Sequence, residues 1–220
     1  TEALQQEGWL RRTVLAGSAI VILVCAAATI HDNRIWRTPL TLFTHILTFE
    51  APSAALYNNL GNAYAVEGQL WEAVRSYHKA LALSEEGADL RPSLHHNLGR
   101  AYLALDQEPQ AMEELRQAIR HNPGFHPSLL LLGSIYLRHN NLQDAAALFQ
   151  QARQRYPYAI EAYVGLAQTH LARGELAEAR AVLESGLRVQ PDDPTLQQSL
   201  AHVNGLSVGS PASSRSSGSD

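Results

Sequence analysis

The sequence predicts an all-α chain: one apolar helix, then an α-solenoid of about four helical hairpins closed by a capping helix. Three observations predict it. The frame YNNLGNAY at 57–64 returns as HHNLGRAY at 95–102, LLLLGSIY at 129–136 and YVGLAQTH at 163–170. The spacing is regular: Gly99 to Gly133 is 34 residues, Gly133 to Ala167 is 34, and Gly61 to Gly99 is 38. Ahead of the repeats, the 18 residues 13–30 carry no charge.

Residues 1–12 form an N-terminal flank ending in Arg11 and Arg12. Residues 13–30 (TVLAGSAIVILVCAAATI) are expected to form a transmembrane helix, because at 1.5 Å rise per residue they span roughly 27 Å, near the thickness of bilayer hydrocarbon. The Arg11-Arg12 preface and the run Ala26, Ala27, Ala28 also suit a signal peptide. A buried soluble helix is the third reading, although a repeat stack offers nothing to cover such a helix on every face. Cys25 follows Val24, where a lipidated cysteine wants a small residue. Arg11 and Arg12 on one side and Arg34 and Arg37 on the other leave the orientation open. One cysteine in 220 residues excludes an internal disulfide framework. A chain that begins at Thr1 and has its one methionine at Met112 is expected to be processed or part of something longer. Residues 31–53 form a junction and a half-repeat helix, in which 39–50 (PLTLFTHILTFE) place Phe43 and Ile46 at the bulky and seam positions, with Pro52 near the stop.

The solenoid is expected over 54–206. Helix pairs are predicted at 54–67 and 70–84, 92–105 and 108–121, 126–139 and 142–155, and 160–173 and 176–189. Each second helix opens on Ala73, Ala111, Ala145 or Ala179 and continues with Tyr77, Leu115, Phe149 or Leu183 four residues on. Antiparallel helices approach closely only where small residues face each other, so Gly61 and Ala73 leave room while Tyr64 and Tyr77 fill the seam. Pro123, Pro157 and Pro191 close three units, since proline cannot continue a helix. The insertion 84–89 takes that place in the first unit. Residues 194–204 repeat the opening rhythm with Gln197, Gln198 and His202, as a polar cap should. The Ser/Gly-rich residues 207–220 have no large apolar residue for a core beyond Val208 and are expected to be disordered.

A period of about 34 with Leu-Gly, Tyr, Ala and a terminal Pro resembles the tetratricopeptide (TPR) repeat. That resemblance implies a concave groove lined by the first helix of each pair and no built-in reactive centre. The groove positions it designates are Asn58, Asn59, Asn62, His96, Asn97 and Arg100 in a polar half. Leu130, Leu131, Leu137 and Val164 make the second half apolar, and Arg138 is a further groove position. An asparagine at a repeated concave position can pair its amide with the N–H and C=O of an extended peptide. Asn59 and Asn97 resemble the first rungs of the asparagine ladder in the TPR domain of O-GlcNAc transferase. Local solvation and capping is the plainer use of the same residues.

Other functions are poorly served. A carboxylate clamp needs several concave cations, and only Arg100 and Arg138 qualify. A net charge of −4 argues against nucleic acid. Ten histidines give no HExxH and no ligand spacing joined by carboxylates, so no metal site is expected. Neither a Walker nor a Rossmann motif nor a triad is present, so no catalytic residue and no cofactor is assigned. His170 stands where the other units have Tyr and is read as a packing residue.

The order of hydrophobic span, Thr29-x2-Asp32-Asn33-x2-Trp36 junction, Leu-Phe, Pro and Asn-Leu-Gly repeats is similar to bacterial membrane TPR proteins. It also resembles the C-terminal part of the transmembrane-and-TPR O-mannosyltransferases, whose junction has arginine where Asp32 stands. The resemblance implies a membrane protein with a single span in this chain and repeats on the periplasmic or lumenal side. Any catalytic residues would lie in an upstream multi-pass region. Two functions follow as expectations. One is a membrane-anchored, non-enzymatic scaffold, inserted through residues 13–30, that holds a protein or extended peptide in its groove or organises a larger membrane assembly. The other is the acceptor-binding portion of a membrane glycosyltransferase.

Overall fold

The computed structural model describes residues 16–29, 33 and 36–208, with backbone alone at 207 and 208. Every regular element among them is an α-helix. The chain divides into two compact units, residues 1–83 and 84–220, and the boundary falls at the start of the insertion. Unit 1 holds α1 (residues 16–29), α2 (Pro39–Phe49), α3 (Ala54–Val66) and α4 (Leu70–Leu83). Unit 2 holds α5 (Arg91–Ala104), α6 (Glu108–His121), α7 (His126–Arg138), α8 (Leu142–Arg155), α9 (Ile160–Ala172), α10 (Leu176–Val189) and α11 (Pro194–Val208).

Local chemistry starts these helices where they start. Thr38 caps α2 in a reciprocal capping box with Thr41, and Pro39 occupies the first turn, where its missing N–H costs nothing. Ser53 accepts from the Leu56 N–H at 3.2 Å to open α3. Asp193 accepts from the Leu196 N–H at 2.8 Å to open α11. Pro92, Pro109 and Pro127 stand in the first turns of α5, α6 and α7.

One device closes the first helix of every hairpin. Gly68, Asp106, Asn140 and Gly174 take φ of 74, 57, 57 and 79°. The next residue's N–H then reaches back to the carbonyl of Tyr64, Tyr102, Tyr136 or His170, at 2.8–2.9 Å. These are left-handed C-terminal caps that satisfy carbonyls the helix leaves unpaired. Glycine enters this conformation without Cβ strain, and Asn and Asp are the side chains that tolerate it best.

The seam has the expected order of sizes. In unit 1 the ring of Tyr77 lies where a Cβ on Gly61 would stand, with Cε1 2.5 Å from that point. In unit 2 Leu115, Phe149 and Leu183 are almost wholly buried, against Ala111, Ala145 and Ala179 at 0% exposure. Burying a side chain such as Phe149 stabilises by about 1.5–3 kcal/mol. Its core continues through Tyr163, Leu166, Ala167, Leu196 and Val203, so α8, α9, α10 and α11 share one cluster.

Two expectations are corrected. The transmembrane helix over 13–30 is not supported: among the described residues no helix is long and apolar enough to cross a membrane. The described part, 16–29, is fourteen exposed helical residues. Residues 13–15 and 30 lie outside the described residues, as do the flank 1–12 and junction residues 31, 32, 34 and 35. The cap is also longer than expected, since α11 runs to Val208 and takes in the first two residues assigned to the tail. The disorder expected of 209–220 lies outside the described residues.

Candidate functional site

The 34-residue period sets side chains of successive first helices in columns. In unit 2 one column runs His96, Leu130, Val164, Gln198, and a second runs Arg100, Ser134, Gln168, His202. The structure brings the later members of both columns together. A cleft of about 410 Å³ is lined by Leu130 and Ser134 of α7, by Glu161, Val164, Gly165 and Gln168 of α9, and by Asp193 and Thr195 at the start of α11; Phe149 closes its floor. A second hollow of about 240 Å³ shares Val164 and Gln168 and adds Gln198, Ser199 and His202. The two form one groove along α9.

Its walls are apolar and its rim is polar. Leu130, Ile160 and Val164 are half-buried, while Glu161, Gln168, Thr195 and Gln198 are exposed. The Ser134 hydroxyl donates to the Leu130 carbonyl of its own helix at 2.9 Å. The side chains of Glu161 and Gln168 make no hydrogen bond or ion pair with other described residues. An exposed amide with nothing to hold can donate to a carbonyl and accept from an N–H of a visiting backbone.

The residues designated from the sequence are distributed more widely. Asn58, Asn59 and Asn62 belong to α3 of unit 1, where Asn58 is half-buried and Asn59 exposed. Asn62 accepts from the Tyr77 hydroxyl at 2.8 Å, so it ties α3 to α4. Asn97 is half-buried on α5 and Arg100 exposed beside it. His96 is a joint between helices: its Nδ1 lies 3.0 Å from the Ser128 hydroxyl of α7 and its ring meets Phe125 edge-on. Burial, then Arg100 and His126, lower its pKa from 6.5 to about 4. His95 points away from it, to Glu114 of α6 at 2.8 Å, and stacks on His121. Leu130 lines the groove, whereas Leu131 packs against Leu115, Leu132 and Ile135. Arg138 pairs with Glu108 at the start of α6, as does His139. Arg138 remains exposed at the end of α7 while it makes this ion pair.

Glu161, Gln168, Thr195 and Ser134 were not singled out in the sequence, and Gln198 was read only as part of the polar cap, although the 34-residue columns running from His96 and Arg100 pass through Ser134, Gln168 and Gln198. His170 meets Glu175 at 2.6 Å and is half-buried, in keeping with a packing role. No group of three His, Cys, Asp or Glu among the described residues could hold a metal ion.

The comparisons with known proteins agree with this architecture. Three tetratricopeptide repeat models match residues 52–122, 96–160 and 136–203. Protein O-mannosyl-transferase TMTC3 of Mus musculus is 27% identical over 203 residues, which is 84% of this chain and 21% of that protein. Protein O-mannosyl-transferase Tmtc3 of Drosophila melanogaster is 28% identical over 180 residues, 74% of this chain and 19% of that protein. The chain thus spans about a fifth of the length of these curated relatives. Among solved structures, the C-terminal part of a TPR repeat-containing protein from Cytophaga hutchinsonii superposes with a TM-score of 0.66 at 13% identity, covering 77% of this chain and 65% of that one. YrrB, described as a TPR protein with an unusual peptide-binding site, gives 0.59 at 22%, covering 82% and 88%. At such identities these likenesses speak to the fold. The matched models run without a gap from residue 52 to 203, and through those repeats the chain belongs to the tetratricopeptide repeat family.

Proposed function

We propose that the chain is an interaction scaffold whose second unit holds an extended segment of a protein partner in the groove along α9. The TPR array is suited to protein–protein interaction, and one observation carries the finer reading. The groove pairs an apolar floor with exposed, internally unpartnered amides on neighbouring helices, Gln168 on α9 and Gln198 on α11. Such a surface binds main chain through the amides and an alternating side chain through the floor. Arg100 on α5 extends the column of Gln168, and Asn97 lies one turn before it on the same helix. Asn58 and Asn59 on α3 give unit 1 a polar face of its own.

The test is to tile the sequence of a protein that co-purifies with the chain into short peptides and measure their affinity for the full chain and for Gln168→Ala with Gln198→Ala. The reading requires one tile to bind and the double variant to bind it about tenfold more weakly, as two lost hydrogen bonds of 0.5–1.5 kcal/mol predict. Unchanged affinity in the variant overturns it.

The similarity to O-mannosyl-transferases favours a second reading, in which the repeats present acceptor polypeptide to a transferase centre outside this chain. On that reading, segments captured by the groove carry Ser or Thr that becomes mannosylated in cells producing the protein. Mass spectrometry of the captured segments, showing no hexose on any of them, would leave the plain scaffold.

A further inference from the structure

The groove along α9 has a charge pattern that says what it should hold. Its 410 Å³ cleft is lined by two carboxylates, Glu161 and Asp193, and by no lysine or arginine. Glu161 is exposed in the first turn of α9, and its carboxylate makes no hydrogen bond, so it does not spend its charge as a cap. Asp193 uses one oxygen, Oδ1, on the Leu196 N–H. The two acids stand at the N-terminal ends of α9 and α11, and both line the cleft.

That floor is low for a specific reason. In the column Asn97, Leu131, Gly165, Ser199, the third member has no side chain. An ideal Cβ on Gly165 would fall 2.4 Å from Cε1 of Phe149, so the ring occupies the space and closes the bottom of the cleft. Leu130, Ile160 and Val164 complete an apolar seat that takes one aliphatic or aromatic side chain.

We infer that the groove selects an extended segment in which an apolar anchor is flanked by lysine or arginine. This rests on the reading of the groove as a peptide site and adds the class of peptide. The anchor sits over Phe149 between Leu130 and Val164. The flanking cation meets Glu161 at the rim, within reach of Asp193. Rim charges of this kind set partner choice and salt dependence more than total affinity, and like charge placed opposite them is rejected.

The experiment uses a bead library of random nonapeptides, selected on the full chain and on two variants, Glu161→Lys and Glu178→Lys. Glu178 is an exposed acid in the first turn of α10 and does not line the groove, so it controls for net charge. The expected result is enrichment of Lys or Arg beside Leu, Ile, Phe or Met by about tenfold over Asp or Glu. Glu161→Lys should abolish or reverse that preference, and Glu178→Lys should leave it. Enrichment of acidic or uncharged flanks overturns the inference, as does a basic preference that survives Glu161→Lys. In those cases peptides still bind, and their affinity for Gln168→Ala with Gln198→Ala decides the groove reading separately. Enrichment of nothing above blank beads overturns both.

Discussion

Phe149 of α8 packs its ring so closely on Gly165 of α9 that Cε1 lies 2.4 Å from where a Cβ would be. The same ring stands 3.0 Å from the corresponding point on Gly133 of α7. One side chain of an outer helix thus fills the space between two inner helices and closes the floor of the groove. The packing and the proposed binding surface share this residue.

Gly165→Ala should therefore destabilise unit 2 by about 1–3 kcal/mol, since the ring must move in a close-packed core. Gly205→Ala is the contrast: Gly205 is helical in α11, with nothing within 4 Å of its would-be Cβ. There the alanine should be neutral or stabilise by up to about 1 kcal/mol. Urea midpoints of the two variants test both signs together.

The turn after α9 gives a second prediction. Gly174 has φ of 79°, and nothing crowds the position its Cβ would take. A loss in Gly174→Val must then come from the left-handed backbone itself, at about 1–2 kcal/mol. Gly174→Asn should cost much less, because Asn140 already holds the equivalent turn at φ 57°. Thermal unfolding of the pair measures the difference.

Acid should weaken unit 2. His96 is lowered to about 4 by burial, Arg100 and His126, and His121 is lowered by burial and its stacked neighbour His95. A histidine pKa depressed below the unfolded value near 6.5 favours the neutral form in the folded state. Its stability is complete above that pH and is lost as pH falls from about 6.5 towards 4, where folded His96 itself titrates. Allowing for partial exposure, His96 accounts for about 2 kcal/mol of that loss. His96→Asn, which keeps a polar partner for Ser128 without a titrating group, should give a flatter pH profile. Urea unfolding at about pH 7 and pH 4.5 checks it.

Most of the fold was legible because packing repeats. The Leu-Gly frame, the bulky residue four positions after Ala and the closing prolines place nearly every helix end within about a residue of its observed position. The C-terminal cap at Gly68, Asp106, Asn140 and Gly174 was hidden because three residue types satisfy one backbone angle. Less legible were the partners that some designated groove residues find far along the chain. Asn62 is held by Tyr77 fifteen residues on, His96 by Ser128 at 32, and Arg138 by Glu108 at 30. No local pattern announces these pairings. For α1, hydrophobicity indicated an apolar run, but composition does not say how far the helix extends or what covers it.

The central claim is that an extended segment lies along α9, between α7 and α11. Photocross-linking tests it most directly, with a benzophenone placed at the apolar anchor of a bound peptide and the adducts mapped by mass spectrometry. The account predicts adducts at Leu130, Ser134, Val164, Gln168 and Gln198, competed away by unlabelled peptide. Adducts on the cleft between α6 and α8, at Arg116, Arg120 or Ala147, would contradict it.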